Sequence, residues 1–176
     1  MDFQELITKR RSVRKFSDKK VDRETLQKIV EMAITAPSSR NSHSTHFIVV
    51  TNPEIIKGLS TMRDFGSSFV KDAPAVIVVM GDTTKTDKPT INSSISATML
   101  HLAAVEMGLA SCWVHVQNSP QIQSEPTGAK AIDKVRELLT IPEECDVLCL
   151  FAIGYSDFEP KPIPEFDRET LVSFVE

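Results

Sequence analysis

The chain has 176 residues, of which 41% are hydrophobic and 25% are charged, and its formal net charge at pH 7 is −4. This composition is typical of a globular protein and excludes a wholly disordered or fibrous chain. The mild acidity argues against a dedicated nucleic-acid binder, and the longest apolar run, residues 147–153, is far shorter than the roughly 20 residues of a membrane helix. The N-terminus is unlike a secretion signal and an odd set of three cysteines is no disulfide framework, so we expect a cytoplasmic protein.

Hydrophobic periodicity and capping residues predict an alternation of helices and strands. Asp22 is a predicted helix cap, with Val21 able to pack on Leu26 across it. The predicted helices cover residues 2–10, 22–35, 53–62, 91–108 and 128–140. The predicted strands, rich in Val, Ile or aromatic residues, cover residues 46–51, 75–81, 110–116 and 146–155. This alternation favours a mixed sheet covered by helices.

The helix at 91–108 is apolar on most sides, as is typical of a helix buried in a core or in a subunit interface. A Pro-rich stretch at 159–164 predicts an extended arm. The pentapeptide Asp-Arg-Glu-Thr-Leu of the second helix start recurs at 167–171 and predicts a last short helix. No low-complexity linker divides the chain, so we predict one domain over residues 1–176, with residues 156–176 as arm and short helix.

The glycines form neither GxGxxG nor GxxxxGK[ST], and HExxH, CxxC and GxSxG are absent from the sequence. His43 and His46 have no neighbouring Cys or carboxylate to complete a zinc site, so we predict no metal. Cys145 and Cys149 lie four apart in a predicted strand, which would point both to one face as buried thiols rather than as a redox pair. We assign no catalytic side chain.

Two polar segments are candidates for ligand binding. Residues 9–15 carry five of the twenty basic residues; they could be a solvated cluster at a helix C-terminus, a nucleic-acid patch that the negative net charge disfavours, or a phosphate clamp of arginine forks. Residues 36–47 are rich in hydroxyl and amide side chains between a helix and a strand. They are either an ordinary polar loop or a set of donors and acceptors for the edge of a flat heteroaromatic ligand.

Taken in order along the chain, these segments resemble the nitroreductase family of FMN-dependent oxidoreductases. The resemblance rests on Arg-Arg-Ser-x-Arg-x-Phe at 10–16 and Ala-Pro-Ser-Ser-x-Asn at 36–41. Three later stretches agree with it: an apolar strand after Ala-Pro at 71–79, a helix, glycine and Trp-containing strand at 104–113, and Ala-Ile-Gly-Tyr at 152–155. The resemblance implies an α+β fold, with a nitroreductase-like mixed sheet flanked by helices, that forms an intertwined homodimer with FMN at its interface.

The resemblance also implies which residues bind FMN. Arg10, Ser12 and Arg14 would hold its phosphate and ribityl chain, with Arg11 contributing through its main chain. From the other subunit, the flavin ring would be flanked by Pro37, Ser38, Ser39 and Asn41. Beside the flavin would lie Trp113, Val114 and His115. Lys161 in the arm would add a cation to the phosphate, although a solvated lysine is an equal alternative.

The implied activity is ping-pong transfer of hydride from NAD(P)H, through FMN, to nitroaromatics, quinones or similar small molecules. The alternatives are a flavin carrier without turnover, a flavin-fragmenting or dehalogenating enzyme on the same fold, and an interaction domain with a basic loop. The sequence departs from the family at four places. Where relatives carry Gln-Pro-Trp it has His43, Ser44 and Thr45; Asn92 replaces a common Asp; Ile163 replaces an arm arginine; and the long inserted helices are missing.

Overall fold

The structure is a computed structural model that describes residues 1–167 and 170–175. The helices are α1 (Phe3–Lys9), α2 (Arg23–Ile34), α3 (Pro53–Leu59), α4 (Pro89–Glu106) and α5 (Ala131–Leu138). The strands are β1 (Thr45–Val50), β2 (Ala75–Asp82), β3 (Ala110–His115) and β4 (Cys145–Gly154). Every predicted helix and strand before the arm is therefore confirmed, with bounds that differ by a few residues.

The helix starts follow from local chemistry. The Asp22 carboxylate accepts from the Thr25 N–H at 2.8 Å and so caps α2, and Val21 and Leu26 are buried in one core cluster. Asn52 caps α3 in the same way, ahead of Pro53 at the first helical position. The predicted last helix includes residues 168 and 169, which lie outside the described residues; residues 156–167 have no regular structure.

The four strands form one sheet in the order β1-β2-β4-β3, and each strand is antiparallel to its neighbours. A mixed sheet would contain parallel as well as antiparallel strands. Within the described residues, the parallel pairing is limited to one isolated bridge between Ser12 and Ser111. The α+β class is confirmed. β2 and β4 are the central strands, and β2 is buried along its whole length.

Helices cover both faces of the sheet, which gives two core clusters. On one face, α3 and α5 contribute Ile56 and Val135 to a cluster with alternate residues of β2. On the other face, α2 and α4 contribute Ile29 and Leu100. The α4 helix packs against α2, β2 and β4 and contacts α1 as well.

The expectation that Cys145 and Cys149 face the same way is wrong. A β-bulge shifts the register, because Met80 pairs with Val147 whereas Val79 pairs with Cys149 and leaves Leu148 without a partner on β2. One extra residue reverses the alternation of side chains. Cys145 consequently lies in the cluster with α3 and α5 and Cys149 in the cluster with α2 and α4. Both thiols are free and buried.

Candidate functional site

The basic loop, residues 10–16, leaves α1 and runs beside the start of β3. Ser12 forms the bridge with Ser111, and the Val13 N–H donates to the Ser111 carbonyl at 3.1 Å. The Val13 side chain is buried. These contacts fix the main chain of the loop to the sheet, and Phe16 at its end packs against the cluster with α3 and α5. Ser12 and Arg14 are exposed.

The three arginines of the basic loop carry charge that the described residues do not neutralise. Among residues 1–167 and 170–175, no carboxylate forms an ion pair with Arg10, Arg11 or Arg14. The Arg14 guanidinium lies 5.7 Å from the centre of the Phe69 ring, and Arg11 donates to the Lys161 carbonyl. Unpaired guanidinium groups on a fixed main chain are suited to bind an anion such as a phosphate.

His101 on α4 supports the basic loop from inside. Its Nε2 lies 3.3 Å from the Arg11 carbonyl oxygen, which can only accept, so the ring donates there. Burial lowers the pKa of His101 to about 4, with the nearby charge of Arg10 acting in the same direction. The imidazole is therefore neutral at pH 7 and holds the loop without adding a charge. Beside it, the buried Ser111 hydroxyl has no hydrogen-bond partner in the described structure.

The serine loop, residues 36–44, joins α2 to β1 and is held at the first turn of α4. Asn92 of that turn is 1% exposed. Its Oδ1 accepts from the Ser39 N–H at 2.9 Å, and its Nδ2 donates to the Ser42 and Ser44 hydroxyls at 3.1 and 2.9 Å. At the end of the loop, the Ser44 carbonyl accepts from the Asp82 N–H at 2.8 Å.

Three non-glycine residues of the serine loop have left-handed backbone conformations. The φ angles of Arg40, Asn41 and His43 are 52°, 53° and 45°. Such a conformation costs an L-residue on the order of 1 kcal/mol, and less for Asn. The loop therefore keeps its shape because surrounding contacts hold it there.

The predicted residues of β3 divide between the two faces of the sheet. The rings of Trp113 and His115 stack with centroids 6.4 Å apart, and Trp113 also contacts Phe151 edge-on at 5.5 Å. Val114 points the other way and is buried in the cluster with α3 and α5, which leaves only its main chain for a ligand. Desolvation, and then the charge of Arg63, lower the pKa of His115.

The two loops lie at opposite ends of the sheet. Ser111, beside the basic loop, pairs with Ile153, which pairs with Ala75 at the start of β2, whereas the serine loop bonds to Asp82 at its end. The two anchors on α4, Asn92 and His101, are nine residues apart, which is roughly 14 Å along the helix axis. One chain therefore brings the basic loop together with β3 and the Lys161 carbonyl, but not with Pro37, Ser38, Ser39 and Asn41.

A cavity of about 1110 Å³ lies elsewhere, between α2, the outer side of β1 and the segment that precedes α2. It is lined by apolar side chains such as Phe47 and Leu26 and by both cations and carboxylates, including Arg23 and Asp72. None of the twelve predicted site residues lines it. Among residues 1–167 and 170–175, no three His, Cys, Asp or Glu side chains are grouped so that they could hold a metal. In that same part of the chain, no helix is long and apolar enough to cross a bilayer.

Comparison with known proteins decides the family. The model of the nitroreductase family matches residues 7–65 and 58–155. The chain belongs to the nitroreductase family. A solved relative in this family, an FMN-dependent nitroreductase from Clostridium difficile R20291, superposes with a TM-score of 0.88 at 37% identity over 97% of this chain and 98% of that one.

Two sequence relatives of this chain carry different names. A protein of Methanothermobacter thermautotrophicus named "Putative NADH dehydrogenase/NAD(P)H nitroreductase" is 30% identical over 174 residues, which are 97% of this chain and 86% of that protein. Iodotyrosine deiodinase 1 of Rattus norvegicus is 24% identical over 195 residues, covering 97% of this chain and 67% of that one.

The support given by His101 and the clamp formed by Asn92 were not predicted from the sequence. Asn92 stood out only as a replacement for a common Asp, and His101 did not stand out at all. A weak signal exists: both are large polar residues on the buried side of α4, where the other residues are small or apolar, and a buried polar side chain needs a partner.

Proposed function

We propose that the protein is an FMN-dependent oxidoreductase that takes hydride from NAD(P)H and reduces nitroaromatics, quinones or similar small acceptors. The guanidinium groups of Arg10 and Arg14, which form no ion pair with a described carboxylate and stand on a main chain fixed to β3, are the observation that carries the proposal. The names of the relatives from Methanothermobacter and Clostridium support the nicotinamide and the flavin, respectively.

In this proposal the basic loop binds the phosphate end of FMN. Arg10 and Arg14 supply charge-assisted hydrogen bonds to the phosphate, and the Ser12 hydroxyl supplies a further bond to phosphate or ribityl oxygen. Arg11 contributes its main chain, because its guanidinium is occupied by the Lys161 carbonyl. Lys161 lies on the arm beside this loop, and its side chain is exposed. In the proposal its ammonium group adds a further cation at the phosphate. When bound, FMN supplies the hydride chemistry, so the protein needs no nucleophile.

The flavin ring end is completed in the proposal by Pro37, Ser38, Ser39 and Asn41 of the partner subunit, with Trp113, the Val114 main chain and His115 on the near side. A homodimer is supported by apolar side chains that the single chain leaves uncovered. On the arm, Phe166, Leu171 and Phe174 are 65%, 70% and 89% exposed, and on α4 Ile91 is 56% exposed. Burial of such side chains against a second copy is favourable, by about 1.5–3 kcal/mol for each fully buried residue.

One slot beside the flavin would serve first the nicotinamide and then the acceptor, which requires a ping-pong cycle. The serine loop carries His43, Ser44 and Thr45 where relatives carry a glutamine, a proline and a tryptophan, and Ser44 is buried against Asn92 rather than directed outward. The slot thus lacks one aromatic wall. We therefore propose that it admits acceptors of varied shape, and we keep the cytoplasm as the predicted location.

The test is anaerobic titration of the purified protein with NADH and, separately, with NADPH while its visible flavin absorbance is followed. Bleaching, followed by recovery of the absorbance on addition of a quinone or nitroaromatic, is the expected result. A yellow protein that neither nicotinamide bleaches would favour a flavin carrier. Recovery of the flavin absorbance with iodotyrosine, and with no other acceptor, would favour the dehalogenating alternative, the activity in the rat relative's name. A colourless protein that binds no added FMN would refute the proposal.

A further inference from the structure

Asn92 links three points of the serine loop to the body of the protein. The Ser39 N–H can only donate, so the bond at 2.9 Å fixes Oδ1 on that side of the amide and turns Nδ2 toward the Ser42 and Ser44 hydroxyls. Both ends of the amide are therefore used, and the side chain is 1% exposed. The bond to Ser44 is fully buried, and those to Ser39 and Ser42 are partly buried.

The other hydrogen bonds of the serine loop are mostly internal. Asn41 and Ser42 donate their N–H groups to the Ser38 and Ser39 carbonyls, and the His43 N–H donates to the Ser38 hydroxyl. Internal bonds fix the conformation of the loop but do not fix its position relative to the rest of the protein. The described bonds between the loop and the body of the protein are those of Asn92 and, at the two ends of the loop, the Ala36 N–H to the Ala33 carbonyl of α2 and the Asp82 N–H to the Ser44 carbonyl. Between those ends, Asn92 is the described anchor.

We propose that Asn92 is a positioning residue: it clamps the serine loop, including its three left-handed residues, in the place from which the loop borders the acceptor slot of the neighbouring subunit. The clamp itself stands on the contacts above, whereas its effect on the slot rests on the proposed function. Asn92 touches no reacting atom in this proposal and acts only through the loop.

The chemistry of the clamp predicts which substitutions it tolerates. An Asp at this position would accept from the Ser39 N–H, and the two serine hydroxyls would rotate to donate to it; its negative charge at the first turn of α4 is also favourable. A Leu of similar volume would leave the Ser39 N–H and both hydroxyls without partners. Asn92→Asp should therefore preserve the loop, and Asn92→Leu should release it.

The experiment is hydrogen–deuterium exchange by mass spectrometry on the purified flavoprotein, comparing the peptide over 36–44 with a control peptide over α3. In Asn92→Leu we expect exchange in residues 36–44 to be about tenfold faster, the equivalent of one net hydrogen bond. Asn92→Asp should exchange like the wild type. Glu137→Gln, on the exposed side of α5, is the control and should also be unchanged. Equal exchange in Asn92→Leu and wild type would overturn the clamp.

Two further measurements keep the outcome decisive. Should Asn92→Leu fail to fold, Ser42→Ala removes one of the three bonds, and unchanged exchange in that variant would overturn the clamp. Steady-state kinetics of Asn92→Leu should show an acceptor KM about tenfold higher with kcat within about twofold, and Asn92→Asp should restore the KM. Faster exchange with an unchanged KM would uphold the clamp and refute the placing of the loop at the slot. The exchange result stands even if the flavin proposal fails.

Discussion

Substitution of Arg10 and Arg14 is the most direct test of the proposal that the basic loop binds an anion. Each contributes a charge-assisted hydrogen bond to phosphate in the proposed site, and loss of such a bond costs about 1.5–3 kcal/mol. We expect Arg10→Ala and Arg14→Ala each to weaken FMN binding by about 10- to 100-fold, measured by fluorescence titration of the protein stripped of flavin. Arg23→Ala, an exposed arginine on α2, is the control that separates a local bond from a general loss of positive charge.

The assembly state is the companion measurement for those variants. Neither arginine makes an ion pair with a described carboxylate, so light scattering should find Arg10→Ala and Arg14→Ala in the same oligomeric state as the wild type. FMN affinities equal to that of the wild type in both variants would refute the proposal that these arginines bind the phosphate.

His101 gives the molecule a dependence on pH that can be isolated by one substitution. The imidazole has its ordinary pKa of 6.5 in the unfolded chain and a pKa of about 4 when folded, chiefly because burial disfavours the charged ring. Between these values the unfolded chain binds the extra proton, so the free energy of unfolding falls as the pH falls from 6.5 toward 4. At pH 5 the loss from this one group is about 2 kcal/mol relative to pH 7.5.

His101→Gln tests this dependence, because Gln does not titrate in this range and its amide can still donate to the Arg11 carbonyl. Urea denaturation at pH 7.5 and pH 5, at one fixed FMN concentration, should show a smaller drop for the variant than for the wild type by about 2 kcal/mol. An equal drop in the two proteins would mean that His101 is not the buried neutral group described above.

Sequence patterns picked out the candidate binding segments but not the hydrogen bonds that hold those segments in place. Local composition marked the arginine cluster and the serine-rich loop only as candidates, and the family resemblance assigned them to FMN binding, which stays a prediction. The bond from Asn92 to Ser39 spans 53 residues and that from His101 to Arg11 spans 90, and no local pattern encodes such a pairing. The left-handed conformations of Arg40 and His43 were equally hidden, because glycine, the usual signal, is absent from that loop.

Helices and strands were predicted correctly where the hydrophobic pattern runs over many residues. The facing of side chains was predicted wrongly where one extra residue interrupts the pattern of β4. The strand at 146–155 was predicted from its apolar run, but the bulge at Leu148 has no marker such as a glycine, so the facing of Cys145 and Cys149 was predicted wrongly. The all-antiparallel order of the sheet depends on how helices cross between strands, which element type alone does not specify.

Gly81 is a point of close packing between β2 and α4. A Cβ built there would lie 2.8 Å from the Pro89 Cβ and from the Ser93 Oγ, and 2.9 Å from the Pro89 carbonyl oxygen. Because one of these atoms belongs to the main chain, the start of α4 would have to move. We expect Gly81→Ala to lower the free energy of unfolding by about 1–3 kcal/mol in urea denaturation.

The same displacement should reach the serine loop, since Asn92 lies on the turn of α4 that Gly81 supports. Exchange in the peptide over 36–44 should therefore be faster in Gly81→Ala. Gly128→Ala is the matched control: its Cβ would come no closer than 3.3 Å to a neighbour, and we expect a change of less than about 1 kcal/mol. If Gly81→Ala were as stable as Gly128→Ala, the close packing of β2 on α4 would be contradicted.

For the whole molecule, the decisive feature is the distance between the two loops. The serine loop is bonded to Asn92 and the basic loop to His101, nine residues and roughly 14 Å apart along α4, and these bonds hold each loop in its own place. We predict that a site using both loops is built between two protomers, as in an isologous dimer that has two equal sites. That the chain forms a single domain stays a prediction.

Mixed dimers test this arrangement directly. Let one protomer carry Arg10→Ala with Arg14→Ala and the other Ser39→Trp, whose bulk should fill the slot while its N–H still bonds to Asn92. If each site takes its basic loop from one chain and its serine loop from the other, both lesions fall in one site and the second site is intact. Co-expressed and purified through two different tags, the mixed dimer should hold about half the FMN of the wild type, although each parent homodimer holds little. If both loops instead served the site of their own chain, every site would carry a lesion, and the mixed dimer would be as empty as its parents.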